Sequence, residues 1–297
     1  MIETFQLTID QSKLTKSINR QIQTNSAIET VVLGKVAISD SAMLVIDEFV
    51  ERSCAAGIEG LRKEFANLKG FIPPNFHHNQ CLANFNRNRY KDVVCLDSTR
   101  VVLTLNVPPE TDYIHANWIK LWGVDHVFIA TQGPLESTVG DFWRMIYQEE
   151  AKTILMLAKT VEDNKQKCVQ YWPEKDGSRR KHGCMYVSNK KVEKDDKFTK
   201  NTIEVIPEGS ANSVILKLIQ MTDWPDRGVP KSGMSVLRML KLIEPNGPCV
   251  VHCSAGIGRT GTVILVETCL QRLWKGYRLN VRFFFDFKCD HLCLIIE

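Results

Sequence analysis

The sequence is short of several things a protein can be built around. Its ten cysteines include no C-x-x-C pair, it opens without an apolar run, and no stretch approaches the ~18–20 apolar residues of a membrane span. Each absence narrows the field. Cys54, Cys81, Cys95, Cys168, Cys184, Cys249, Cys253, Cys269, Cys289 and Cys293 show no disulfide framework, so most are expected to be buried small hydrophobes in a reducing, cytoplasmic setting. The opening MIETFQLTIDQSKLTK is polar where a secretory signal needs an apolar core. Charge of one sign is scarce as well. The formal net charge is +4, and the basic run Ser178-Arg179-Arg180-Lys181, with Lys190, Lys191 and Lys194, is interrupted by Glu193, Asp195 and Asp196. That pattern suits a solvated strand edge, and no nucleic-acid partner is expected. Cys289, His291 and Cys293 lack a fourth ligand, so no metal is expected.

What remains is an ordinary globular chain. Its 297 residues, 44% hydrophobic and 24% charged, suffice for one large core. Residues 1–42 are rich in Ser, Thr, Gln and Asn and are expected to form a flexible extension, with VVLGKVAI a candidate strand. From Met43, MLVIDEFVERSC and GIEGLRKEFANL space their apolar residues as amphipathic helices do, until Pro73-Pro74 breaks the pattern. The β-branched and aromatic runs DVVCLD, RVVLTL, YIHANWI, VFIATQ, TILMLA, MYVSN, NTIEVIP, VILKLIQ and CVV predict strands. Between them, helices are predicted over TVGDFWRMIYQEE, capped by Ser137, over SGMSVLRMLKLIE, and from Arg259 to about Lys275. Strands mixed with helices predict an α/β or α+β single domain.

One stretch carries chemistry. In VHCSAGIGRTG a buried strand runs into a tight loop and then straight into a helix. The amides of Ser254, Ala255, Gly256, Ile257, Gly258 and Arg259 can point inward as a nest for an oxyanion, with the helix dipole behind them. The glycines allow the turn, Arg259 can fork onto two phosphate oxygens, and the positive field favours a thiolate at Cys253. A thiolate over a phosphate cradle is poised for phosphoryl transfer through a covalent thiophosphate. The leaving oxygen then needs a proton, and TDWPDRGVPKS offers Asp226 between Pro225 and Gly228.

Taken together and in order, HCSAGIGRTG, WPDRGVP, NRYKDV, FIATQGPL and KCVQYWP closely resemble the catalytic domain of the cysteine-dependent protein tyrosine phosphatases, over roughly residues 43–281. The resemblance implies a highly twisted mixed sheet flanked by helices, with the phosphate loop between a central strand and a buried helix. It also implies hydrolysis of phosphotyrosine in tyrosine-phosphorylated protein partners without metal or organic cofactor. By the same resemblance Cys253 is the nucleophile, Arg259 the phosphate clamp, and Asp226 the acid and then the base. Thr260 steadies the departing thiolate and His252 tunes it. Tyr90 walls a pocket deep enough to select phosphotyrosine, Asp92 holds the substrate backbone, and Glu162, Lys167 and Trp224 support the clamp and the acid.

Two departures from the family pattern stand out. Arg227 follows Asp226 where many members carry an aromatic residue. After the catalytic helix the chain runs from GYRLNV into RFFFDFKCDHLCLIIE, without the glutamine-bearing loop that positions the hydrolytic water; Gln271, on the helix itself, does not match it. The first chemical step is thus expected to be fully equipped. The alternative to turnover is a phosphotyrosine-binding trap. Residues 282–297 are expected to form an atypical apolar tail.

Overall fold

The computed structural model describes residues 38–67, 75–225, 228–230 and 232–279. The described residues open with helix α1 (Asp40–Ala66), capped by the Ser39 hydroxyl, which accepts from the Ala42 amide. Gly57, at φ +59°, kinks it, so the two amphipathic stretches read from the sequence form two arms of one element. The short α2 (Asn79–Ala83) follows, then β1 (Arg100–Val102), β2 (Tyr113–Ile119), β3 (Phe128–Thr131) and α3 (Val139–Gln148). Next come β4 (Thr153–Met156), the small hairpin β5 (Val161–Glu162) and β6 (Lys165–Gln166), and the long antiparallel run β7 (Arg179–His182), β8 (Met185–Lys194), β9 (Phe198–Pro207) and β10 (Val214–Met221). The last elements among the described residues are α4 (Gly233–Leu240), β11 (Cys249–His252) and α5 (Gly258–Trp274).

Nine strands form one mixed sheet in the order β1-β2-β3-β11-β4-β10-β9-β8-β7. The middle is parallel: β11 lies between β3 and β4, with Cys249 opposite both Phe128 and Thr153, and β4 pairs with β10. The two wings are antiparallel. Side-chain parity explains why the central strands read as unbroken apolar runs. Ile129, Ile154, Met156 and Val250 face α3, with its Phe142, Trp143, Met145 and Ile146. Their neighbours Phe128, Ala130, Leu155, Cys249 and Val251 face α4 and α5, through Val236, Met239, Val263 and Ile264. A strand buried on both faces has no polar side to alternate with. Each such side chain contributes roughly 1.5–3 kcal/mol by its burial. The first arm of α1 covers α5, where Val45, Leu273 and Leu279 form a separate small cluster.

Three sequence expectations are corrected. DVVCLD is not a strand. Val93, Cys95 and Leu96 are buried, but Asp97 is spent capping α2, its carboxylate accepting from the Asn79 and Gln80 amides at 2.7 and 3.0 Å. Ser137 does not cap α3; it lies in a 3-10 turn over Glu136–Thr138, and the Thr138 hydroxyl accepts from the Leu135 amide instead. RVVLTL pairs over only its first three residues. The candidate strand VVLGKVAI, Arg227 and the apolar tail lie outside the described residues, apart from Ile38 at the end of the first of these. Among the described residues, no helix is long and apolar enough to cross a membrane.

Candidate active site

The centre of the sheet delivers the site. β11 carries His252 to its end, and the next residue is Cys253, a buried thiol at the carboxyl edge of the parallel strands. The loop then folds back so that the Gly256 amide donates to Cys253 Sγ at 3.3 Å, and the chain enters α5 at Gly258. Only glycine fits at 256. Its φ is +83°, and a Cβ there would stand 2.4 Å from the Thr131 carbonyl oxygen. The loop is therefore pressed against the end of β3, and the Gly133 amide ties it there by donating to the Ser254 carbonyl at 2.9 Å.

Arg259 leaves the first turn of α5 and meets Glu162 at the base of the β5–β6 hairpin. Nη1 donates to Oε1 at 2.8 Å and Nη2 to Oε2 at 2.7 Å, a two-toothed pair with both side chains nearly buried. The Leu157 carbonyl accepts a further bond from Nη1 at 2.7 Å, and the Trp224 carbonyl a longer one at 3.5 Å. Glu162 is itself fixed by the Lys159 amide, which donates to Oε1 at 2.9 Å. The guanidinium is thus held in one orientation by the Glu162 carboxylate and the Leu157 carbonyl.

Tyr90 stands at the rim, its hydroxyl 2.9 Å from Ser254 Oγ. Ser254 spends its proton on the Lys167 carbonyl at 3.0 Å, so Tyr90 is the donor. The backbone of Lys167 thereby links the hairpin, the loop and Tyr90. Asp92, two residues on, is exposed at the surface. Thr260 is buried, and its hydroxyl has no partner among the described residues. Trp224 is packed into the core on the α4 side, and its indole N–H donates to the Gly228 carbonyl at 2.9 Å, spanning the turn. Asp226, two residues after Trp224 in the sequence, lies outside the described residues, as do Cys289, His291 and Cys293.

His252 is completely buried beneath the loop, and its tautomer follows from its partners. Nδ1 faces the Cys253 carbonyl at 3.1 Å, which can only accept, so Nδ1 carries the proton. Nε2 then accepts from the Tyr171 hydroxyl at 2.7 Å. Burial pushes the imidazole pKa down to about 4, so the ring is neutral above that pH.

Sequence reasoning missed several residues that build the site. Tyr171 lies in KCVQYWP and is held in turn by the Trp143 indole, which donates to its carbonyl at 2.9 Å. Gln132, in FIATQGPL, accepts from the Arg89 amide and donates to the Arg87 carbonyl, both at 2.8 Å, docking the tyrosine-bearing segment. Arg89 returns the contact through Nε to the Gly133 carbonyl at 2.9 Å and Nη2 to the Pro134 carbonyl at 2.6 Å. Val94 joins Ala255 and Ile257 in lining a narrow cleft beside the loop. The motifs containing all but Val94 were visible, but which side chain in each met which backbone was not.

A thiol at the end of a central parallel strand, a glycine-bearing loop folded onto its sulfur, and a buried arginine beside it form one cluster at the carboxyl edge of an α/β sheet. The comparisons with known proteins bear out the family resemblance read from the sequence. The family model described as protein-tyrosine phosphatase matches residues 84–286. Tyrosine-protein phosphatase non-receptor type 9 of Homo sapiens is 35% identical over 258 residues, covering 80% of this chain and 44% of its own length. Receptor-type tyrosine-protein phosphatase F of Bos taurus is 37% identical over 193 residues, 63% of this chain and 10% of its own. Among solved structures, the protein tyrosine phosphatase TcPTP1 of Trypanosoma cruzi superposes with a TM-score of 0.69 at 30% identity, covering 80% of this chain and 86% of that one. The chain belongs to the protein tyrosine phosphatase family. It spans less than half the length of the curated relatives named here.

Proposed function

We propose that this chain hydrolyses phosphotyrosine in proteins through a cysteinyl-phosphate, with residues 43–281 as the catalytic unit. The observation that carries the reading is the Cys253 loop: an amide donating to the sulfur and an arginine pre-aimed by Glu162 over the same cradle. In the first step the Cys253 thiolate attacks phosphorus, the S–P bond forms, and the P–O bond to the tyrosine breaks. Asp226 gives its proton to the departing phenolate. In the second step a water attacks phosphorus and gives a proton to Asp226, the S–P bond breaks, and the thiolate and inorganic phosphate are released. Loop amides and Arg259 carry the equatorial oxygens throughout, where the gain is largest in a desolvated site. Thr260, the buried hydroxyl without a partner among the described residues, supports the leaving thiolate. Tyr90 gives the site its depth, and Asp92, exposed beside it, receives the substrate backbone. The eight described cysteines are all unpaired, which suits a cytoplasmic, signalling role; cell fractionation showing the protein confined to an oxidising compartment would count against it.

The test is time-resolved phosphate release from a phosphotyrosine peptide, beside Cys253→Ser. Sustained turnover that the substitution abolishes is expected. A single stoichiometric burst would instead define a phosphotyrosine-binding trap that stalls at the phosphoenzyme. Turnover retained by Cys253→Ser would refute the nucleophile.

A further inference from the structure

The hairpin turn between β8 and β9 lies outside every motif read from the sequence, yet it touches both flanks of the segment that carries Asp226. The turn is stiff. Asp195 Oδ1 accepts from the amides of Lys197 and Phe198 at 2.8 and 2.9 Å, and the Asp195 amide donates to the Phe198 carbonyl at 3.0 Å. On one side it holds the end of β10. The Thr222 amide donates to the Lys197 carbonyl at 3.4 Å, and Lys197 Nζ pairs with Asp223 Oδ2 at 3.2 Å. On the other side it holds α4. Arg238 reaches Asp195 and Asp196, each at 3.5 Å, with its guanidinium 5.6 Å over the Phe198 ring. Phe198 packs in the same apolar cluster as Trp224, Val236 and Met239.

Thr222 and Asp223, before the segment that carries Asp226, and α4, after it, therefore share one abutment. Asp223 precedes Trp224 and Pro225, which lead directly to Asp226 in the sequence. We propose that Lys197 and Arg238 are positioning residues of the phosphatase reaction, setting the proton-donating segment from a turn that never meets substrate. The inference rests on the proposed phosphotyrosine hydrolysis. Its physical basis is a disparity of scale. Partly exposed ion pairs at these distances add little to folding stability, so their loss leaves the protein intact. A reacting group displaced by ~1 Å, in contrast, lowers a rate about 100-fold.

The experiment uses leaving-group basicity. A misplaced acid harms esters of basic phenols and spares those whose phenolate departs unaided. In the full chain, Lys197→Glu, which sets like charges against Asp223, is expected to lower kcat/KM for a phosphotyrosine peptide about tenfold. For a dinitrophenyl phosphate the change should stay within about twofold, with a melting temperature within ~3 °C of wild type. Arg238→Met, which keeps an apolar stem, should show the same pattern at about threefold. Asp226→Asn supplies the reference for a lost acid. The charge swap Lys197→Glu with Asp223→Lys should recover most of the lost peptide activity. An active wild type whose variants lose nothing, lose equally on both esters, or fail to recover on the swap would overturn the positioning role while leaving the phosphatase reading intact. A wild type inactive on both esters would remove the phosphatase reading and this inference with it.

Discussion

Glu162 grips Arg259 with both carboxylate oxygens, at 2.8 and 2.7 Å, in a pair that is almost fully withdrawn from water. A carboxylate in that position competes with the phosphate the arginine is proposed to bind, and yet it also fixes the plane in which the guanidinium waits. The planar fork matches two oxygens at once, so orientation is what the pair contributes.

Removing the carboxylate is therefore expected to harm both fold and rate. Glu162→Ala should lower stability by about 3 kcal/mol, because a buried cation is left without its partner. It should also lower kcat/KM at least tenfold. Urea unfolding beside steady-state kinetics checks the pair of effects. Unchanged kinetics in a folded variant would show that Leu157 and Trp224 suffice to aim the arginine.

Gly256→Ala tests the contact between the loop and β3. The new methyl would meet the Thr131 carbonyl oxygen at 2.4 Å and impose a left-handed backbone on a residue with a side chain. The left-handed conformation alone costs about 1–2 kcal/mol, and the clash forces the loop outward. Loss of turnover is expected together with weakened competitive inhibition by inorganic phosphate. A variant that binds phosphate normally would contradict the packing described.

Acid should weaken the protein through His252. The folded imidazole titrates near 4 because burial disfavours its charge, whereas an unfolded histidine titrates near 6.5. Between those values the unfolded chain takes up a proton that the folded one refuses. Stability is thus complete above about pH 6.5 and falls as the pH drops toward 4, by roughly 3 kcal/mol. His115, also pushed down by burial, acts in the same direction. Urea midpoints at pH 7 and pH 5 should differ in the wild type, and the difference should shrink in His252→Asn.

Tyr90→Phe isolates one hydroxyl. It removes the donor to Ser254 Oγ while the serine keeps its bond to the Lys167 carbonyl. A single partly buried hydrogen bond contributes about 1 kcal/mol, so a loss in kcat/KM of about fivefold is expected. Tyr90→Ala, which removes the wall itself, should lose far more on phosphotyrosine than on a phosphoserine peptide, and equal losses would deny the wall its selective role.

Much of this architecture was legible in the sequence. YIHANWI, TILMLA, CVV and VILKLIQ are strands because their buried runs have no other stable form, and α5 follows the loop as its apolar circumference requires. DVVCLD has equal β propensity and is not a strand, since Asp97 found two amides to cap and tertiary context outweighed propensity. Within the site, Cys253, Arg259 and Tyr90 could be named from their motifs, and Glu162 from the position that the family resemblance gives it. Tyr171 beneath His252 and Gln132 beside Arg89 could not, because their roles are bonds to residues 81 and 43 positions away, a distance no periodicity reports.

The position of β11 has a consequence for the making of the protein. Its neighbours β3 and β4 are both synthesised long before it, and neither can close the sheet without it. A growing chain thus holds two unpaired parallel edges with an empty slot between them, a state that invites wrong partners until β11 enters. Cys253, the proposed nucleophile, follows at the end of that strand. Closure of the sheet and assembly of the loop around Cys253 are consequently one event, and a chain that has not yet completed its core lacks the setting in which the proposed chemistry could occur.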